Sequence, residues 1–222
     1  MKIKVKEIIP KIFVVTFDSR YNLCMSFVRM QEYYESPEFR GKAFTLDEFI
    51  EYWAINYGNG AFTYPSVWDG FNIPFPIVEE WSTKCEEAYG ELRDKEIELL
   101  KAIREENVKN GHDYTYLQDS YIIGVHSKSK DLKEVIDHEV AHALHYIYNG
   151  YRESCEKLLE TVPKSTIKRV GRTLTKMGYG QNIIKDEMQA YFSTEGYVHE
   201  GIRGRKEFEK NFRKFKKGLK KN

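Results

Sequence analysis

The run His138-Glu139-Val140-Ala141-His142 places two imidazoles and a carboxylate where one metal ion can use all three. Residues four apart lie on one face of an α-helix, so His138 and His142 can grip a single ion. Glu139 sits one residue round from His138, close enough to reach a water at that ion. The pattern is HExxH, with which a helix presents zinc ligands and a general base. With six His and 25 Glu in 222 residues, it should arise by chance in roughly 0.02 of such chains, so it is fairly specific. The plainer alternative is a surface helix whose histidines only hydrogen-bond, and the order of the surrounding elements argues against it.

Two histidines do not complete a catalytic zinc site, which usually takes three protein ligands and leaves a fourth position for water. The extended pattern HExxHxxGxxH needs Gly at 145 and His at 148. The chain has His145 and Tyr148 there, which excludes the metzincin arrangement. His145, three residues after His142, only partly overlaps the metal-facing side of the helix. The third ligand must come from downstream, where Glu160, Glu187, Glu195 and His199 are available.

Lys185-Asp186-Glu187-Met188-Gln189-Ala190-Tyr191 is a second helical segment carrying a carboxylate followed by apolar residues. At these two helices the chain resembles the gluzincin group of HExxH metallopeptidases, whose third ligand is a Glu on a second helix. The resemblance covers roughly residues 120–195. It implies Glu187 as the third ligand and Asp186 as the residue that orients a metal-bound histidine, a placement that fixes the imidazole tautomer. It departs from the group at Tyr191, which stands where an Asp is usual one turn after the ligand. Such enzymes commonly support the tetrahedral intermediate with a His or Tyr beyond the third ligand, and Tyr191, Tyr197 and His199 all qualify. His112 and His126 have no motif around them and read as ordinary polar residues.

These residues imply a Zn2+-dependent peptidase. The ion acidifies a water and polarises the scissile carbonyl, while Glu139 acts as general base and then general acid. A strand at 121–125 is expected along the cleft, pairing with an extended peptide substrate. A fold and a metal do not fix a substrate. Two rivals stand beside peptide hydrolysis: a hydrolase of non-peptide amides, and a non-catalytic zincin-like module that uses its basic C-terminal tail to bind nucleic acid or an acidic partner.

The expected fold is α+β and zincin-like, a mostly helical catalytic part with a small sheet ahead of the HExxH helix. Ile3 to Ile9 and Ile12 to Phe17, rich in β-branched residues and interrupted by Pro10, predict two strands. Asp18 and Ser19 offer an N-cap for a helix from Tyr21 to Tyr34. Thr45-Leu46-Asp47-Glu48 is a capping box, opening a helix that ends near Gly58. Residues 62 to 76, with Pro65, Gly70, Pro74 and Pro76 among large rings, read as an ordered aromatic loop that packs on the core or walls a cleft. A single long helix is expected from Ser82 to Asn110. The HExxH helix should run from Asp131 to about Tyr148, followed by helices at 152–161, 165–177 and 182–193. The corresponding division, within what is expected to be one compact unit, is 1–77 as an N-terminal α/β part packed on the catalytic part, 78–200 as the metal-binding part, and 201–222 as a basic helix or tail.

At 222 residues, 41% hydrophobic and 31% charged, the chain can bury a real core. No apolar run approaches the roughly 18 residues of a membrane span. The first residues alternate Lys with Ile and Val and lack the apolar stretch of a secretory signal. Three scattered cysteines, Cys24, Cys85 and Cys155, suggest free buried thiols in a reducing compartment, so a cytoplasmic location is expected. The near-neutral net charge hides an asymmetry. From Arg203 onward there are ten Lys or Arg against Glu207 and Glu209, so the rest of the chain is net acidic. Phe208, Phe212 and Phe215 fall at helical spacing there. This predicts a basic amphipathic helix that docks on the acidic body, with a nucleic-acid or anionic-surface contact and a frayed solubilising tail as the alternatives.

Overall fold

The hairpin β1 (Ile3–Ile9) and β2 (Ile12–Phe17) forms as the β-branched runs predict, antiparallel with Ile3 opposite Phe17 and Ile9 opposite Ile12. Its turn is Pro10-Lys11. Lys11 takes a φ of 65°, and proline followed by a positive φ suits a type II turn. The Lys11 amide donates to Glu7 Oε1 at 2.8 Å, which helps hold this uncommon conformation. In this computed structural model the described residues are 1–177, 179–181, 183–194 and 205–219. Within them the protein is α+β, mostly helical with one four-stranded sheet, and it divides into units 1–132 and 133–222.

The first unit is built round the sheet, in the order β1-β2-β4-β3. β4 (Tyr121–His126) runs parallel to β2, and β3 (Gly70–Pro74) runs antiparallel to β4. Every residue of β4 is buried, which explains why its sequence reads as a continuous apolar run. Both of its backbone edges are taken by β2 and β3. The expectation that this strand pairs with an extended substrate is therefore corrected: no edge of β4 is open to a peptide. Its pairing with β2 also joins residues 121–126 to the N-terminal sheet, across the division expected at 77/78.

Helix α1 (Arg20–Glu35), capped by the Ser19 side chain, packs against β2, β3 and β4. Gly124 permits that approach. A Cβ there would lie 2.6 Å from Phe27 Cε2 and 2.8 Å from Leu23 Cδ1. α1 also carries Arg29, whose guanidinium pairs with Glu96 of α4 (Asp94–Lys109) at 2.8 Å with both side chains buried. The capping box of Thr45 and Glu48 opens α2 (Leu46–Asn56) as expected.

Two expectations are corrected in this unit. Residues 62–76 hold a 3-10 turn at Tyr64–Ser66 and the strand β3, rather than loop alone. Tyr64 and Phe71 are buried in the core. Proline signals concealed a short strand at the sheet edge, the place where proline is tolerated. The single helix expected at 82–110 is two, α3 (Phe75–Tyr89) and α4. Gly90 ends α3 in a left-handed conformation, φ 83°, with its amide on Glu86 O at 2.8 Å. A short helix, α5 (Tyr114–Gln118), precedes β4.

The second unit is helical among its described residues: α6 (Leu132–Ile147), α7 (Asn149–Thr161), α8 (Lys164–Lys176), α9 (Ile184–Thr194) and α10 (Arg205–Leu219). α10 packs on α9 and α7. Phe208 meets Phe192 edge-on at 5.3 Å, and Phe215 meets Tyr151 likewise at 5.3 Å. Asn211 bonds Ser154, and Lys216 pairs with Asp137. The basic amphipathic helix thus docks through its aromatic face.

Candidate metal centre

α6 carries the HExxH residues with His138, Glu139 and His142 all buried. The i, i+4 spacing does what helix geometry requires. The two rings lie 4.9 Å apart by centroid and bring their Nε2 atoms to 3.2 Å. α9 supplies Glu187, also buried, with Oε2 3.6 Å from His138 Nε2 and Oε1 3.5 Å from His142 Nε2. Among the described residues, His138, His142 and Glu187 are the one group of three such side chains close enough to share an ion.

These distances test whether zinc suits the group. With zinc–nitrogen and zinc–oxygen bonds of about 2.0–2.1 Å, two ligand atoms at a tetrahedral angle stand about 3.3 Å apart. The three separations of 3.2, 3.5 and 3.6 Å are of that size. Glu187 Oε2 is buried and accepts no hydrogen bond among the described residues, a costly state for a carboxylate oxygen unless a cation shares it. Two neutral imidazole nitrogens and a carboxylate are also the donor set of many catalytic zinc sites. The residues fit the ion.

The support around the donors is equally specific. His142 Nδ1 lies 2.9 Å from Asp186 Oδ2, which leaves Nε2 turned toward His138 and Glu187. Asp186 is itself held by the Gln189 amide, which donates to Oδ1 at 2.9 Å and to Ala141 O at 3.3 Å. Burial opposes a charged His142, but the carboxylates of Asp186 and Glu187 beside it outweigh burial and hold its pKa well above the ordinary histidine value. Burial likewise pushes Asp186 upward, and the neighbouring His142 more than reverses this, so its pKa is lowered.

Tyr191, one turn beyond Glu187, packs its ring against His138 at 4.8 Å and 72°. Its hydroxyl is 3.1 Å from that of Tyr179. Tyr179 was not legible in the sequence, because it lies in the connection between α8 and α9 with no periodicity to tie it to the site. Gln189 was missed as well, although its place three residues after Asp186 on one helix face is a signal that could have found it. His145 approaches Asp186 at 3.4 Å from outside the donor triangle, and burial leads the lowering of its pKa.

The remaining candidates fall away or lie out of view. Glu160 is exposed on α7 and is not in the donor group. Glu195, Tyr197 and His199 lie outside the described residues. In the first unit His112 pairs with Glu7 at 3.2 Å and stacks on Tyr116, and His126 pairs with Asp69 at 2.8 Å. No family model matches this chain, and no curated protein or solved structure matches it either.

Proposed function

We propose that the protein is a zinc-dependent, zincin-like metallopeptidase that hydrolyses peptide bonds in a peptide or protein substrate. The observation that carries this reading is the triangle of His138 Nε2, His142 Nε2 and the Glu187 carboxylate, with Glu139 buried on the same helix. A zinc ion held by these three residues would supply the Lewis acidity that acidifies water and polarises a carbonyl. Glu139 takes the proton from the attacking water and passes it to the leaving nitrogen. Asp186 keeps the His142 ring in one tautomer by accepting from Nδ1, so that Nε2 serves as the donor atom. Tyr191 and His199 are the groups assigned to hydrogen-bond the carbonyl oxygen as charge develops on it. Tyr179 fixes the Tyr191 hydroxyl.

A purely structural metal site has no use for a carboxylate beside its first histidine, which favours catalysis over a non-catalytic scaffold. We assign a cytoplasmic setting, supported by three buried free thiols. No helix among the described residues is long and apolar enough to cross a membrane.

The test uses the purified full chain, its metal content, and cleavage of a chemically unfolded protein with and without chelator. One zinc per chain and chelator-sensitive cleavage are expected. Glu139→Gln should keep the zinc and lose about 10²-fold or more in rate. A His138→Ala/His142→Ala variant that still holds one zinc would refute the ligand assignment. Stoichiometric zinc with no cleavage would point to the interaction module instead.

A further inference from the structure

α8 has two unlike faces. Ile167, Val170, Gly171 and Leu174 form one side, with Val170 and Leu174 buried, and the helix packs on α9. Gly171 marks the close approach, since a Cβ there would meet Met188 Cε at 3.2 Å. The opposite side carries Lys168, Arg169, Arg172 and Lys176, all exposed, with Ser165 and Thr173 among them. These six residues line a surface groove of about 440 Å³.

The helix contains no acidic residue, and among the described residues none of these four cations has a carboxylate partner. A solvated helix face ordinarily mixes its signs, as α4 does with Lys101–Glu105 and Lys109–Glu106. α10 is interrupted too, because Glu209 pairs with both Arg205 and Arg213. Lys206, Lys210, Lys214 and Lys217 of α10 are exposed without ion pairs among the described residues as well, but they share their helix with Glu207 and Glu209. Among the described cation-bearing helices α8 is the one with no carboxylate at all, so its row is wholly single-sign, a state opposed by self-repulsion.

We propose that this face of α8 binds the phosphate backbone of a nucleic acid without reading its sequence. Lys168, Arg172 and Lys176 are spaced four residues apart, about 6 Å of rise per step, so their charges form a straight row suited to successive phosphates. Arg169 and Arg172 add planar forks that match phosphate oxygens. Ser165 adds a hydroxyl donor of the kind that positions a backbone, while the Thr173 hydroxyl donates to Arg169 O at 3.3 Å. The face presents no aromatic ring for base stacking, which leaves the backbone as the contact. An anionic membrane is disfavoured because the apolar side of α8 is turned inward, leaving nothing to insert between lipids.

The inference does not depend on the metal centre, and its test is separate. Full-length protein is titrated against a fluorescent mixed-sequence DNA duplex of 20 base pairs from 50 to 200 mM salt. Four phosphate contacts give a log–log slope of about −3.6, or roughly 150-fold weaker binding across that range. Replacing Lys168, Arg169, Arg172 and Lys176 by Gln should abolish that slope while leaving the circular dichroism spectrum and the thermal melt unchanged. Replacing Lys206, Lys210 and Lys214 of α10 by Gln should retain most of it. Should the α8 variant fold poorly, acetylation of the wild-type chain decides: bound DNA should protect Lys168 and Lys176 but not Lys206 or Lys210. Absent binding at 50 mM salt, equal loss in the α10 variant, or equal competition by polyglutamate would each overturn the proposal.

Discussion

Asp186→Ala separates a metal centre from a fortuitous cluster. The substitution leaves His138, His142 and Glu187 in place and removes what holds the second imidazole. His142 Nδ1 loses an acceptor at 2.9 Å, and the Gln189 amide loses one of its two, keeping Ala141 O. Loss of such an outer partner typically weakens metal binding 10–100-fold, about 1.4–2.7 kcal/mol. The metal-free protein should be destabilised as well, by about 1–3 kcal/mol for the buried donor left unsatisfied. Zinc affinity is measured by competition with a fluorescent chelator, and stability by denaturant unfolding with and without zinc. The zinc-dependent gain in stability should shrink in step with the affinity. If Asp186→Ala binds zinc as tightly as the wild type while its stability falls, then Asp186 serves packing alone and the proposed ordering of the site is wrong.

Three further outcomes follow from the surroundings. Burial raises the Glu32 carboxyl from 4.5 to about 7, against the opposing hydrogen bonds from Tyr64 and Ser36. The folded state keeps a proton there that the unfolded chain releases, so stability should fall as pH rises from about 4.5 to about 7. The loss is at most about 3 kcal/mol for this half-buried group; in Glu32→Gln, urea unfolding should no longer show that decline, and an unchanged profile would discount Glu32. Phe208→Ala empties a fully buried position beside Phe192, at a cost of about 3–5 kcal/mol in unfolding experiments if the docked α10 is integral to the fold; a loss below about 1 kcal/mol would contradict that. Gly124→Ala forces a methyl against Phe27 and Leu23 and should cost about 1–3 kcal/mol in the same assay, whereas a neutral result would mean that α1 shifts freely on the sheet.

What could be read without coordinates is what depends on near neighbours along the chain. The pairing of His138 with His142 is a property of helical pitch, so their convergence follows once the segment is helical. The β1–β2 hairpin, the Thr45 capping box and the aromatic face of α10 are local in the same sense. The break at Gly90 was also local, but the apolar stripe continued across it and masked the stop. The rest was set by packing between distant segments. Glu187 lies 45 residues after His142, and only the placement of α9 brings its carboxylate to the imidazoles; the spacing alone left Glu160, Glu195 and His199 as rivals. Tyr179 enters the site from a connection whose path is fixed by where α8 and α9 pack. β4 reads as a strand by composition, yet its place between β2 and β3, which closes both its edges, is a matter of sheet order. Chain-local geometry determines which side chains share a face, and long-range packing decides which faces meet.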